Sequence, residues 1–320
     1  MDCDRCGAPA VLHAAYSGQH LCESHLRGSV EKRVRRRVRE DGLVPDDATP
    51  ESPVTWVVGL SGGKDSVVLL DVLARTFEPD PRVELLALTI HEGIEGYRDE
   101  SLAAAAELAE RYDVRHEVRT YEEELGVRMD DVVETDPEDM AACAYCGVFR
   151  RGLLEEVGEA VGADLLLTGH NLDDEAQTAV MNLFSGDVDQ MAKHYDASLA
   201  PLPERSDAPF VPRAKPLREV PEKEIALFAR LADLPVHMAE CPHASEAYRG
   251  EIQRHLLELE DAHPGTRHSI MAGYEELAAL AWERREGRRT GELGKCRRCG
   301  SVTTREVCRK CALVESIEAA

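Results

Sequence analysis

The chain has 320 residues, 61 acidic against 38 basic, and a formal net charge of −23. That length leaves room for a large core and for two domains, or for one domain with appendages. No apolar run approaches the ~18 residues of a membrane span. Met1-Asp2-Cys3-Asp4 lacks the charged and apolar regions of a signal peptide, so the expectation is a cytoplasmic protein with no membrane partner. An acidic surface whose few cations are mostly arginine looks like that of an extreme halophile, where salt screens self-repulsion. Spread evenly, such a charge argues against a nucleic-acid partner, but it is not spread evenly.

The first 27 residues place Cys3-x2-Cys6 and Cys22-x2-His25 fifteen residues apart. Two chelating knuckles at that separation fit a closed tetrahedral zinc site of three thiolates and one imidazole, which the cytosolic context favours over disulfides. His13 and His20 lie inside the loop, and His25 alone completes the spacing. Between Arg27 and Arg39 come Lys32, Arg33, Arg35, Arg36, Arg37 and Arg39, with Val30, Val34 and Val38 every fourth residue. This predicts a helix with a valine stripe and a basic remainder. Against an acidic background such a block points to an anionic partner, nucleic acid before a merely solvated face. Asp41 to Pro53, rich in acids and prolines, reads as a linker.

Next, Val54-Thr55-Trp56-Val57-Val58 is a β-branched strand running into Gly59-Leu60-Ser61-Gly62-Gly63-Lys64-Asp65-Ser66 and then an apolar helical segment. Strand, glycine turn and helix N-terminus together make a phosphate cradle, with free N–H groups and the helix dipole facing the anion and Lys64 adding a point charge. It is not a Walker A loop, since Asp65 follows the lysine and Val58 occupies the place of the first glycine.

From residue 53 to about 240 strands and helices alternate, predicting an α/β fold with a doubly wound parallel sheet. Val83–Ile90 is a second strand, Glu100–Arg111 a helix, Val114–Val118 an edge strand, and Asp164–Thr168 a buried strand with a helix from Asp173. Ligands of such sheets bind at the strands' carboxyl ends, where Ser61–Ser66, Ile90–His91 and Gly169–Asp174 all fall. Two acids opening a helix are ordinarily dipole partners, a sufficient account of Asp173. Gln177 receives no role.

Cys143-x2-Cys146 precedes Arg150-Arg151 and a helix, and Cys241-Pro242-His243 lies far downstream. These three cysteines could hold three irons of a cubane, form a zinc site with His243, or act as a redox pair carrying a persulfide. Spacing alone leaves all three open. After the proline-rich stretch 204–221 and a helix Pro221–Leu231, residues 246–289 read as two helices around His263-Pro264-Gly265, ending in the basic Arg284, Arg285, Arg288 and Arg289. The tail gives Cys296-x2-Cys299, eight residues, then Cys308-x2-Cys311, a four-thiolate zinc ribbon decorated by Lys295, Arg297, Arg298, Arg305, Arg309 and Lys310. The segmentation expected is a zinc knuckle (1–27), a basic helix and linker (28–52), the sheet domain (53–240), a helical region (241–290) and the ribbon (291–320).

Ser61-Gly62-Gly63-Lys64-Asp65-Ser66 resembles the signature of the PP-loop ATP pyrophosphatases, and Gly169-His170-Asn171-Leu172-Asp173-Asp174 the second signature of their tRNA-modifying branch. With both zinc modules and the cysteine triad in this order, the chain resembles the TtuA/TtcA-type tRNA 2-thiolation enzymes, including the archaeal wobble-uridine thiolases. The resemblance implies ATP bound along Gly59–Ser66 with its adenine near Ile90. Uridine O2 of a tRNA is then adenylated and sulfide displaces AMP at C2. The uridine is U34, or alternatively position 54. It further implies Lys64 offsetting phosphate charge, Asp174 orienting Mg²⁺ or accepting a proton, and a [4Fe-4S] cluster on Cys143, Cys146 and Cys241. Arg150 would reach phosphate or sulfide, and Gly169 would approach the nucleotide. Two structural Zn²⁺, a ubiquitin-like sulfur carrier with a C-terminal thiocarboxylate, and a homodimer complete the expectation. The competing readings are a zinc-ribbon RNA-binding protein whose PP-loop senses nucleotide, and an amidating or lysine-ligating PP-loop enzyme, which would have no use for the triad.

Overall fold

The computed structural model describes residues 1–77, 79–199, 210–243, 248–286 and 293–319. Arg288 and Arg289, and residues 204–209 of the proline-rich stretch, lie outside the described residues. A hairpin of β1 (Leu12–Ala14) and β2 (Gln19–Leu21) leads through Cys22 into α1 (Glu23–Glu40). Leu26, Val30, Val34 and Val38 are buried along one side of α1, as apolar residues spaced by four require. The segment expected to be a linker is instead a packed strap. Leu43 is fully buried and its carbonyl accepts a hydrogen bond from Trp56 Nε1 at 3.2 Å, so one apolar residue among acids anchors it to the core.

The central elements are β3 (Val54–Gly59), α2 (Lys64–Phe77), β4 (Val83–His91), α3 (Arg98–Arg111), β5 (Arg115–Thr120), α4 (Tyr121–Leu125), α5 (Met129–Thr135), α6 (Ala142–Ala160), β6 (Leu165–Leu167), α7 (Leu172–Ser185), α8 (Val188–Ser198), β7 (Arg213–Ala214) and α9 (Glu222–Leu231). The strands form one parallel sheet in the order β5-β4-β3-β6-β7. Side chains alternate between its faces. Val54, Trp56, Val58, Leu165 and Leu167 pack with α1, α2 and α9, while Val57, Leu86, Leu88, Ile90 and Leu166 pack with Phe149, Leu153 and Val157 of α6. The sheet is therefore doubly wound. It runs outward from β3 through β4 to β5, and on the other side through β6 to β7, which puts the topological switch and its crevice at the carboxyl ends of β3 and β6. β7 lies in the proline-rich stretch and was not anticipated. Two residues pairing with Leu166 and Leu167 are too short a strand to leave an alternating pattern.

α10 (Tyr248–Ala262) and α11 (Thr266–Glu286) pack with α7 and α8 around Leu172, Ala176, Met191, Ile252, Tyr274 and Ala278. The tail forms β8 (Gly294–Lys295), β9 (Val302–Thr303) and α12 (Arg309–Glu318), whose Leu313 and Val314 join the core on the α6 side. Among the described residues no helix is long and apolar enough to cross a membrane.

Candidate active site

The loop Leu60–Gly63 is closed by its own serines. Ser66 Oγ accepts from Ser61 N at 3.1 Å, contacts Ser61 Oγ at 3.0 Å and donates to Gly63 O at 3.0 Å. Gly62 has φ +80°, and a Cβ there would lie 1.9 Å from the Ser101 carbonyl oxygen, so only glycine fits. Lys64 Nζ sits 2.7 Å from Glu222 Oε1 and 3.0 Å from Asp65 Oδ2. Burial acts to lower its pKa, but the carboxylates of Asp65 and Glu222 raise it, and the ammonium stays charged. Gly59 ends β3, and the Leu60 amide donates to Leu88 O. Ile90 lies at the end of neighbouring β4 with its side chain in the core and its carbonyl accepting from Arg98 at 2.8 Å.

The second loop closes against the first. A Cβ on Gly169 would come within 2.9 Å of the Asp65–Ser66 backbone, so this glycine permits the close approach. Asn171 caps α7, its Oδ1 accepting from Asp173 N and Asp174 N, while Asp174 Oδ2 accepts from Asn171 N at 3.2 Å. Such a reciprocal capping box satisfies donors that the helix leaves open. Asp173 is buried and pairs with Arg267, and its other oxygen accepts from Glu222 N at 2.8 Å. It is a structural anchor between α7, α9 and α11, a tie beyond the dipole role expected of it. Asp174 faces the crevice, 3.0 Å from Arg249. Burial raises the Asp65 pKa and the Asp174 charge adds to this, against Lys64 and Asn171. Two carboxylates and an ammonium around a phosphate cradle are a donor set suited to a nucleotide and Mg²⁺.

Cys143 and Cys146 lie in the first two turns of α6. Cys241 packs against the cluster that contains Cys146. Its pKa is raised, first by burial and then by the nearby Cys146, Cys143 and Glu92. All three are free thiols. His243, the fourth ligand of the third-zinc alternative, is turned to Asp130 at 2.7 Å. Arg150 donates to Cys146 Sγ at 3.1 Å, a cysteine sulfur and neither of its two anticipated targets, phosphate and sulfide. Tyr121, fully buried, donates to Cys146 O at 2.9 Å and has its oxygen 3.5 Å from Cys146 Sγ. Three free thiols, Cys146 under the Arg150 guanidinium and Cys143 and Cys241 near it, fit an iron–sulfur cluster with one iron left without a protein ligand. Sequence reasoning missed Tyr121 and Glu92, because an acid after a strand and a tyrosine opening a short helix carry no recognisable spacing.

The terminal modules are assembled for metal. The ligand atoms of Cys3, Cys6, Cys22 and His25 lie within 4.8 Å of one another, as do those of Cys296, Cys299, Cys308 and Cys311. His25 Nδ1 is 3.3 Å from both Cys3 and Cys22 Sγ, whereas His13 and His20 stack on each other across the hairpin. Burial opposes ionisation of Cys3, but backbone N–H groups of Cys22, Arg5 and Cys6 outweigh it and bring the thiol to about 6. Cys296 reaches about 6 for the same reason, through Cys308, Cys299 and Arg298. The thiols of Cys6, Cys308 and Cys311 are pushed the other way, in part by their neighbouring cysteines, and it is the convergence of the four ligand atoms in each group that fits Zn²⁺.

The basic blocks are less free than composition implies. In α1, Arg33 pairs with buried Glu224, Arg36 with Glu219, and Arg37 with Asp41, Glu40 and Glu219. Arg33 thereby fastens α1 to α9, and Arg36 and Arg37 fasten it to the segment just before α9. Lys32, Arg35 and Arg39 are exposed and form no ion pair among the described residues. In the ribbon, Lys310 is buried against Glu156 of α6, Arg298 pairs with Glu315 and Glu318, and Arg309 with Glu138.

A family model described as a PP-loop domain matches residues 31–259, and one described as the N-terminal LIM domain of 2-thiouridine synthetase TtuA matches residues 2–27. The tRNA 2-thiolation protein NcsA of Haloferax volcanii is 67% identical over 320 residues, covering 100% of both chains. Cytoplasmic tRNA 2-thiolation protein 1 of Bos taurus is 35% identical over 314 residues, covering 97% of this chain and 86% of its own. The solved U34-tRNA thiolase NcsA from Methanococcus maripaludis, with its [4Fe-4S] cluster, superposes with a TM-score of 0.81 at 33% identity, covering 98% of this chain and 96% of its own. Sharing their PP-loop domain and aligning with them along nearly its whole length, the chain belongs to the tRNA 2-thiolation family of PP-loop proteins.

Proposed function

We propose that this chain is a tRNA-uridine 2-sulfurtransferase of the cytoplasm acting on the wobble uridine, U34, the position named for the solved thiolase it resembles. The observation that carries the reading is placement. β3 and β4 are neighbours in the sheet; the phosphate loop leaves the end of β3, and Glu92, beside the cysteine helix, leaves the end of β4.

Residues Ser61–Ser66 bind the ATP phosphates, and Lys64 exchanges its contacts with Glu222 and Asp65 for the phosphate oxygens. There it offsets charge that develops as uridine O2 attacks the α-phosphate and pyrophosphate leaves. Asp174, once released from Arg249, orients Mg²⁺ or receives a proton. Adenylation turns the O2 oxygen into a leaving group, and AMP departs as sulfur bonds to C2. A [4Fe-4S] cluster on Cys143, Cys146 and Cys241 would supply an open iron at which sulfide is held. Arg150 presents its guanidinium at that sulfur side. A sulfur carrier with a C-terminal thiocarboxylate and a second copy of the chain are the proposed protein partners.

The test is anaerobic purification followed by assay of zinc, iron, acid-labile sulfide and 2-thiouridine in tRNA. About two zincs and four irons, with iron lost in Cys143→Ala, and thiolation lost by roughly a hundredfold or more in Lys64→Ala, are expected. Full thiolation by Lys64→Ala and Asp174→Ala would overturn it. Zinc without iron, in protein that still thiolates, would move sulfur transfer to a cysteine persulfide.

A further inference from the structure

Glu92 is 3% exposed, an acid almost wholly removed from water at the point where the chain leaves β4. A buried carboxylate persists only if its charge is matched, and two arginines match it. Arg98 Nε forms an ion pair with one of its oxygens, and Arg150 Nε lies 3.7 Å from the other. Each arginine then reaches onward. Arg98, itself buried, donates to the Ile90 carbonyl at 2.8 Å and to the Ser61 carbonyl of the phosphate loop at 3.4 Å. Arg150 donates to Cys146 Sγ at 3.1 Å. A continuous line of polar contacts thus runs from the phosphate loop through Arg98, Glu92 and Arg150 to a cysteine sulfur. Arg150 is about half exposed, so its flexible stem is held over Cys146 by that sulfur contact and by the charge of Glu92.

We propose that Glu92 is a positioning residue: its carboxylate aims Arg150 at the Cys146 sulfur and, through Arg98, makes that aim depend on whether the phosphate loop is occupied. This rests on the sulfurtransferase reading of the site. Nucleotide binding would alter the Ser61 carbonyl contact and so the arrangement at Cys146, and by linkage the state of the sulfur site would feed back on nucleotide affinity. The Glu92 carboxylate acts directly on Cys241 through its charge, but it reaches Cys146 only through Arg150.

Two measurements on full-length protein test it. The first is a cycle of Glu92→Gln, Arg150→Gln and the double variant, read as 2-thiouridine formation. Glu92→Gln should lose roughly ten- to a hundredfold, as expected for a group that orients a functional side chain. Adding it to Arg150→Gln should cost nothing more, because the two act in series. Multiplication of the two losses, or full activity of Glu92→Gln, would overturn the proposal. The second reads the alkylation rate of Cys146, by peptide mass mapping, in zinc-loaded protein before iron is supplied, with and without saturating ATP. Wild type should change rate several-fold with ATP and Glu92→Gln should not. An ATP effect that persists in the variant, or is absent from wild type, would overturn the coupling, whereas a merely structural Glu92 would shift melting temperature and leave the ATP effect in place. If wild type thiolates no tRNA, the functional reading fails, and the alkylation result still decides the role of Glu92.

Discussion

Asn171 donates its side-chain amide to Asp65 at 2.9 Å while its Oδ1 caps α7. One residue therefore latches the phosphate loop to the second loop across 106 positions of sequence. Asn171→Ala should lower stability by about 1 kcal/mol through the lost cap and weaken ATP binding as the loops part. Asn171→Asp keeps the cap but sets a third carboxylate beside Asp65 and Asp174. Melting temperatures together with ATP titration should find the aspartate variant well folded and the poorer nucleotide binder of the two.

Gly62→Ala should be more damaging to binding than its size suggests. The added methyl meets backbone rather than a movable side chain, at a positive φ that alanine resists. Loss of ATP affinity together with a clear drop in melting temperature is expected, because the Ser101 backbone must move, read by calorimetric titration and thermal melts.

The α1 arginines divide by partner. Arg33→Ala strips the counter-charge from Glu224, which is 2% exposed on its side chain, and should cost about 3–5 kcal/mol. Lys32→Ala and Arg35→Ala should leave stability unchanged and each reduce the salt-dependence slope of tRNA binding by about one. Urea melts and filter binding across a salt series separate the two groups.

Glu175 is buried beside Lys215 at 2.7 Å and His194 at 3.3 Å. Burial raises its pKa, but the two partners overcome this and bring it from 4.5 to about 2. A carboxylate depressed in the folded state contributes stability above its unfolded pKa, and this is lost as pH falls through the folded value. Wild type should therefore lose more stability than Glu175→Gln between about pH 4.5 and 2, measured as the difference in urea midpoints.

Whatever depended on repeating pattern was legible in the sequence. The alternation of Val54, Trp56 and Val58, the four-residue valine spacing of α1 and the paired knuckles each state a geometry by themselves. Features made by residues distant in sequence were not. Nothing near Glu92 announces Arg98 and Arg150 as partners, nothing in the basic run announces Glu219 and Glu224, and β7 exists because β6 has a free edge for it. The basic run of α1 misled in the same way, since half of its cations are arginines that the fold pairs internally.

The ribbon's position under α6 has one more consequence. Lys310 reaches Glu156, its stem filling the space that a side chain on Gly152 would need, while Leu313 and Val314 complete the apolar layer below Phe149 and Leu153. The helix that carries Cys143 and Cys146 thus gains its floor from a segment the ribosome makes much later. During synthesis the sheet and phosphate loop can form early and the cysteine helix can pack on the sheet, but its flank at Gly152 stays open to solvent until the ribbon folds. Were Zn²⁺ the ion held by Cys296, Cys299, Cys308 and Cys311, its capture would become a checkpoint in assembly: a chain starved of zinc would bind nucleotide yet offer the cysteines a cradle supported on the sheet side alone.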